Sequence, residues 1–177
     1  MILRMIGLIL FLIILWAVIG VYNTLVESRS HVDDALRRIY NLLRQRKDLV
    51  PDLLVNAKNL AIEDWTAVEE VAFAHGIAVA AETPSDMMQA DADLADALNR
   101  LFSVMEDNPE VTANENFMRL RALFEDTDRK LKTACNEYEE CVDRYNAKLQ
   151  KFPYSLFASI FQFKKHDGLD AFQVGAQ

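Results

Sequence analysis

Apolar residues fill every position from Met5 to Val21, and no charged residue interrupts them. In an α-helix these 17 residues extend about 25 Å, and extension to Ile2 and Tyr22 gives about 31 Å, close to the thickness of the hydrocarbon core of a bilayer. Tyr22 suits the membrane interface at the end of the run. The pattern predicts a transmembrane anchor over residues 1–22.

Two alternatives to an anchor are a cleaved secretory signal peptide and the buried helix of a soluble protein. The run is long for a signal peptide, and no A-x-A-like cleavage site follows it. Only Arg4 precedes the run, whereas Arg29, Arg37 and Arg38 follow it closely. Because Lys and Arg accumulate on the cytoplasmic side of membrane proteins, we expect the rest of the chain to face the cytoplasm and the N-terminus to lie outside.

Beyond the anchor the apolar residues keep a helical spacing, without a Gly, Ser or Pro linker. In the first predicted helix the apolar spacing continues across Pro51. Because proline removes a backbone donor, we expect a kink or a break near Asp48, and the continuous spacing favours the kink. A second helix is predicted over Asp64 to Ala81. A third follows an N-cap at Ser85 or Asp86 and stops before Asn108 and Pro109.

The last long helix has apolar positions that alternate between steps of four and three, from Ala113 to Tyr145. This 3.5-residue period is typical of left-handed packing in a four-helix bundle or a coiled coil. Thr112 or Asn114 is expected to cap the helix, and Pro153 ends it. The predicted fold is all-α: an N-terminal transmembrane helix that continues into an elongated antiparallel four-helix-bundle-like domain over residues 23–163, with a tail over 164–177.

After Pro153 the chain becomes rich in large apolar side chains. We expect a short helix that folds back and closes one end of the bundle. The alternative is an aromatic surface for a partner or for the membrane interface. The residues concerned are Tyr154, Leu156, Phe157, Ile160, Phe161, Phe163 and Phe172.

The chain is acidic, with 19 Lys plus Arg against 27 Asp plus Glu. This balance argues against nucleic acid as a partner and against broad adhesion to anionic lipid. Basic residues beside the anchor are still able to touch lipid headgroups. Cys135 and Cys141 are six residues apart on a predicted helix, beyond the reach of a disulfide.

Motifs that carry chemistry are missing from the sequence. Neither Glu-x-x-His, H-E-x-x-H nor C-x-x-C occurs, and the three histidines are scattered. The acidic stretch Asp91, Asp93 and Asp96 lacks the glycine of a calcium loop and is expected to be a solvated helix face. We therefore expect no enzymatic activity and no catalytic, cofactor-binding or metal-binding residue.

Two groups of residues are candidate contacts for a protein partner. They are Arg44, Arg46, Lys47 and Asp48 near Pro51, and Phe157, Phe161 and Phe163 after Pro153. For Arg46 and Asp48 the alternative is pairing with oppositely charged neighbours inside the bundle.

The expected function is a non-catalytic, membrane-anchored scaffold or adaptor. One alternative is a self-assembling membrane-shaping or signalling oligomer, in which subunits share the apolar positions from Ala113 to Tyr145. A weaker alternative is a bundle with an unrecognised small-molecule or metal site.

An ordered set of residues along the chain also matches a known pattern. Its members are Tyr22, Asn23, Leu25, Val26, Val32, Ala35, Ile39, Leu43, Arg46, Asp48, Leu49, Val50, Pro51, Leu53, Leu54, Pro109, Ala113, Asn114, Phe117, Leu120, Leu123, Thr127, Leu131, Tyr138, Val142, Tyr145, Asn146, Phe152, Pro153, Ala158 and Phe161. Taken in order, they resemble the LemA family of bacterial membrane-anchored helical proteins. The chain departs from the family pattern at Asp52, Asn108 and Cys135, among other positions.

The resemblance implies a bacterial inner-membrane protein with a very short outer N-terminus, one spanning helix and a cytoplasmic four-helix-bundle-like domain. No enzymatic activity is established for the family. Some of its members take part in forming magnetosome membranes or are associated with envelope proteostasis, which suggests a role in organising membranes or envelope proteins.

Overall fold

A computed structural model describes residues 2–59, 65–106 and 108–169 of the chain. Within these ranges the regular structure is helical, without a strand, and the all-α prediction is confirmed. Asp64 and Phe172, which the sequence analysis singled out, lie outside the described residues, as does the tail beyond Leu169. The helices are α1 (Ile2–Asn59), α2 (Trp65–Ala80), α3 (Pro84–Glu106), α4 (Pro109–Thr112), α5 (Glu115–Gln150) and α6 (Tyr154–Ile160).

Helix α1 is continuous from the apolar run to Asn59, and Pro51 lies inside it. A proline in a helix removes one backbone hydrogen bond, but the apolar spacing on both sides of Pro51 keeps the same face buried: Val50 and Leu53 are both buried. The break considered near Asp48 is therefore wrong, and the predicted continuity of phase is confirmed.

The apolar segment of α1 leaves its large side chains, from Met5 to Ile19, exposed. Among the described residues, α1 alone is long and apolar enough to cross a membrane by length and composition. A signal sequence near an N-terminus meets the same criterion.

The start of α3 differs from the prediction. The Asp86 backbone N–H donates a hydrogen bond to Thr83 Oγ1 at 3.1 Å, so Thr83 caps the helix and the expected cap at Ser85 or Asp86 is wrong. The reason is Pro84, whose fixed φ and missing N–H suit the first helical position. Helix α5 starts as predicted, because Asn114 Oδ1 accepts the Phe117 backbone N–H at 3.0 Å.

Most of the predicted apolar seam of α5 is buried, from Phe117 to Tyr145. Near its C-terminal end Val142 is buried and Cys141 is only half-buried, so the seam moves by one residue there. An α-helix has 3.6 residues per turn and drifts by about 20° per heptad from a strict 3.5 repeat, and one extra step of four corrects that drift.

The described chain forms two compact units. The first unit contains residues 2–37 and 136–168, and the second contains residues 38–135 together with Leu169. In the first unit α1 and α5 are joined by a hydrogen bond of 2.6 Å from Lys148 Nζ to Ser28 Oγ.

The second unit has one hydrophobic core, to which α1, α2, α3 and α5 all contribute. The Phe102 ring of α3 packs 5.9 Å from the Phe117 ring and 5.8 Å from the Phe124 ring of α5. The short α4 adds Val111 to the same core, so five helices contribute to it. The buried residues include Val50, Leu53, Val68, Val71, Leu94, Leu98, Leu101, Met105, Phe117 and Phe124.

Candidate functional site

Arg46 lies in the interior of the second unit, where only 3% of its surface is exposed. Its Nη1 donates to Asp91 Oδ2 and its Nη2 donates to Asp128 Oδ1, both at 2.7 Å. These three residues, here called the Arg46 cluster, connect α1, α3 and α5. The prediction that Arg46 contacts a partner is therefore wrong, and the alternative of pairing inside the bundle is what the structure shows for this residue.

Asp91 corrects a second prediction. Asp93 and Asp96 are exposed as expected, but Asp91 is buried, with 8% of its surface exposed. Asp91 precedes the buried Leu94 by three residues and the buried Leu98 by seven, so it belongs to the inward face of α3. That spacing is visible in the sequence and identifies Asp91 as the inward-facing acid of the stretch.

The two carboxylates of the Arg46 cluster have different proton affinities. Burial raises the pKa of Asp91 to about 6, against the opposing effect of the Arg46 charge and with a further contribution from the negative charge of Asp128. Burial also acts to raise the pKa of Asp128, but hydrogen bonds from Lys132 and Arg46 outweigh it and the pKa is lowered. As the pH falls, Asp91 is therefore the first of the two to take up a proton.

A cleft of about 380 Å³ lies in the second unit and is called here the Tyr40 cleft. Most of its lining is apolar, and Arg44 and Lys47 of the predicted contact residues belong to it. Arg44 Nε is 3.8 Å from Asp48 Oδ2, and both side chains are exposed. The lining residues are Tyr40, Asn41, Leu43, Arg44 and Lys47 of α1, Ala78 and Glu82, and Pro84, Met87, Asp91 and Leu94 of α3.

A second cleft of about 380 Å³ in the same unit has a more polar lining, which includes Arg46 and Asp128. Two further cations line it: Lys132, which is paired with Asp128 at 2.7 Å, and Arg121, which is paired with Glu106 and with Glu125, the latter at 3.0 Å. Asp91 thus lines the Tyr40 cleft, while the other two residues of the Arg46 cluster, Arg46 and Asp128, line this second cleft.

The predicted aromatic contacts are brought together in the first unit. The Phe161 ring lies 5.2 Å and the Phe163 ring 5.9 Å from the ring of Tyr22, and Phe157 stacks on Phe161 at 6.4 Å. These four residues are called the Tyr22 cluster. Phe157 and Phe163 are half-buried in it, whereas Phe161 is 45% exposed.

The segment after α6, residues 163–168, lies along α5. Asn146 exchanges two hydrogen bonds with the His166 backbone, at 2.8 and 3.0 Å. The hydroxyls of Tyr145 and Tyr138 donate to the carbonyl oxygens of Lys164 and Asp167. Hydrogen bonds to its backbone therefore hold this segment on α5, and the predicted tail begins with an attached stretch. The short helix expected after Pro153 forms as α6, but Leu156, Ile160 and Phe161 are exposed, so the expected burial of these side chains is wrong. The sequence analysis did not predict this attachment because the acceptors are backbone carbonyls, which every residue has. The hydroxyl groups of Tyr138 and Tyr145, on the otherwise apolar seam of α5, were the available signal.

Among the described residues, no group of three or more His, Cys, Asp and Glu side chains is arranged to hold a metal ion. Cys135 and Cys141 are not joined by a disulfide, as expected from their spacing.

The sequence profile of the LemA family matches residues 35–177. No curated protein matches the chain significantly. The matched region covers most of the sequence and contains the Arg46 cluster, the Tyr40 cleft and α6. An apolar N-terminal helix followed by this region is compatible with a membrane-anchored helical protein. The chain belongs to the LemA family.

Proposed function

We propose that this protein is a non-catalytic adaptor that α1 anchors in the bacterial inner membrane. The adaptor holds a protein partner in the Tyr40 cleft, on the cytoplasmic side of the membrane. The observation that carries the proposal is the continuity of α1. One helix supplies the exposed apolar segment and also the Tyr40–Lys47 wall of the cleft. A partner bound there is tethered to the bilayer, which raises its effective concentration near the membrane to the order of millimolar.

The cytoplasmic orientation is supported by the distribution of basic residues. Arg4 alone precedes the apolar segment, and Arg29, Arg37 and Arg38 follow it. With that bias the second unit, with its cleft, is expected on the side where membrane proteins concentrate Lys and Arg.

The α1 side of the Tyr40 cleft suits a protein segment that carries apolar side chains and a carboxylate, whereas the rest of its lining includes the carboxylates of Glu82 and Asp91. Tyr40, Leu43 and Met87 supply an apolar lining, and Arg44 and Lys47 supply positive charge on the α1 side. Arg44 and Asp48 form only an exposed contact at 3.8 Å, which contributes little. Lys47 lines the cleft beside Arg44 and is half-buried there.

Assembly through the α5 seam is less well supported. Phe117, Leu120, Phe124 and Tyr138 are buried within a single chain, so this surface is already covered. A second copy would need to displace α1, α2 or α3 to reach it.

Site-specific photo-cross-linking in intact bacterial membranes tests the proposal with the full chain. A benzophenone side chain replaces Glu82, an exposed residue of the cleft, or Glu115, an exposed residue that does not line it. We expect one discrete adduct from position 82 and none of that size from position 115. The adduct should disappear when Arg44→Glu and Lys47→Glu are combined, and persist when Lys58→Glu and Arg119→Glu are combined.

The matched control pair changes the net charge by the same amount on exposed helical residues away from the cleft. Identical adducts from both probe positions, or equal loss with both charge reversals, would contradict the assignment of the partner site.

A further inference from the structure

We infer that α6 lies in the interface of the bilayer, with its exposed apolar side chains in the boundary between lipid headgroups and acyl chains. The inference rests on the proposed anchoring by α1. It assigns a second membrane contact, next to the anchor, to residues that the sequence analysis offered as a surface for a partner or for the membrane interface.

Helix α6 has an inward and an outward side. Ala158 is buried and Phe157 is half-buried, whereas Leu156 and Ile160 are exposed, Ile160 by 70%. Leu156 and Ile160 are four residues apart and therefore neighbours on one face of the helix. Phe161 follows directly and extends the exposed apolar surface.

The position of this surface follows from Tyr22. Tyr22 is the first residue after the apolar run, and the Phe161 ring lies 5.2 Å from its ring. The headgroup region on each side of a bilayer is only about 5–7 Å thick, so a ring in contact with an interfacial tyrosine lies at the same depth. An apolar helix face held there meets lipid and not bulk water.

The charges around α6 agree with a lipid interface. Lys151 precedes the helix and Lys164 and Lys165 follow it, and all three are exposed. Basic side chains that flank an apolar helical face attract anionic headgroups, although the chain as a whole carries a net charge of −8. The neighbouring groove contains Asp33 and Asp34 as well as Arg29 and Arg37, so it does not select one anionic headgroup, and the bilayer surface itself is the ligand.

Internal hydrogen bonds hold α6 in this position. The Phe163 backbone N–H donates to the Ala158 carbonyl at 2.9 Å, and Tyr145 and Asn146 attach the following residues to α5. The outward face is therefore presented at a fixed place, without an ordering step on contact with lipid.

Spin-label accessibility of the full chain in nanodiscs of phosphatidylcholine and phosphatidylglycerol tests the inference. Cys135 and Cys141 are replaced by Ser, and single labels are placed at Ile160→Cys, at Leu12→Cys in the apolar segment and at Glu115→Cys in the second unit. We expect the ratio of oxygen to nickel-chelate accessibility at position 160 to exceed that at position 115 by about fivefold or more, towards the value at position 12.

The outcomes separate the two proposals. If position 12 is lipid-exposed but position 160 matches position 115, the anchor stands and the interfacial location of α6 is wrong. If position 160 is shielded from both reagents, α6 is covered by protein and the inference is also wrong. If position 12 itself is accessible from water, the anchoring by α1 fails, and the placement of α6 fails with it.

Discussion

The guanidinium of Arg46 and the carboxylate of Asp91 lie 2.7 Å apart inside the second unit, although they are 45 positions apart in the sequence. Asp128, on α5, accepts a hydrogen bond from the second terminal nitrogen of the guanidinium, Nη2. The bundle thus encloses one cation between two acids, and the Tyr40 cleft opens beside one of them. A buried charge with two bound partners fixes the relative positions of the three helices that carry it.

Removal of Arg46 is predicted to destabilise the second unit strongly. Arg46→Ala leaves two carboxylates close together without their common partner, and we expect a loss of about 3–5 kcal/mol in the free energy of unfolding. Denaturant unfolding of the full chain in nanodiscs, followed by circular dichroism, measures it. Arg44→Ala is the control, since its pair with Asp48 is exposed and is worth about 0–1 kcal/mol. Equal losses in the two variants would refute the role given to the cluster.

Asp91 is predicted to make stability depend on pH in a defined direction. Its pKa of about 6 in the folded state lies above the value of 3.8 that applies when it is unfolded. The folded state therefore binds the proton more tightly, and this contribution is complete below pH 4 and is lost as the pH rises through 6. The pKa of Asp128 is lowered, so its contribution changes only below about pH 4 and in the opposite direction.

Unfolding of wild type and Asp91→Asn between pH 4 and pH 7 isolates this effect. The stability of the wild type relative to the variant should fall by about 1–3 kcal/mol over that range. Any pH-independent effect of the substitution on the free energy of unfolding is the same at pH 4 and at pH 7, so it does not alter this change. A difference that stays constant, or that grows with pH, would show that Asp91 does not titrate as described.

The cap at the start of α3 is a third prediction. Thr83→Ala removes the side-chain acceptor for the Asp86 N–H and is expected to cost about 0.5–2 kcal/mol. Ser103→Ala serves as the control, because the Ser103 hydroxyl donates to the Asn99 carbonyl of its own helix. The same unfolding measurement applies, and a Thr83 variant no less stable than the Ser103 variant would argue against the cap.

The attachment of residues 163–168 to α5 is expected to depend on Asn146. Asn146→Ala deletes both hydrogen bonds to the His166 backbone, so the His166 amide should exchange with solvent much faster. Hydrogen exchange followed by mass spectrometry compares this variant with Asn136→Ala, which changes an exposed position of the same unit. Unchanged protection at His166 in the Asn146 variant would mean that other contacts hold the segment.

The helical layout was predictable because its signals are local. Pro84, Pro109 and Pro153 mark starts and ends of helices, and the apolar spacing of α1 and α5 identifies their buried faces. The Arg46 cluster was not predictable from the sequence, because its members come from three helices. Only the tertiary fold selects Asp91 and Asp128 from the many acidic residues. For the apolar residues of α6 the sequence analysis kept two interpretations, burial against the bundle and an exposed surface. Composition alone does not distinguish an apolar face that protein covers from one that contacts lipid.

The central claim, a helical domain held at the cytoplasmic face by an uncleaved α1, is tested most directly by thiol labelling in spheroplasts. Glu115→Cys, in a chain with Cys135 and Cys141 replaced by Ser, is exposed to a membrane-impermeant maleimide before and after lysis, and the protein is recovered from alkali-washed membranes. The account predicts a membrane-bound protein that is labelled only after lysis. Labelling of intact spheroplasts, or recovery of the protein in the soluble fraction, would contradict it.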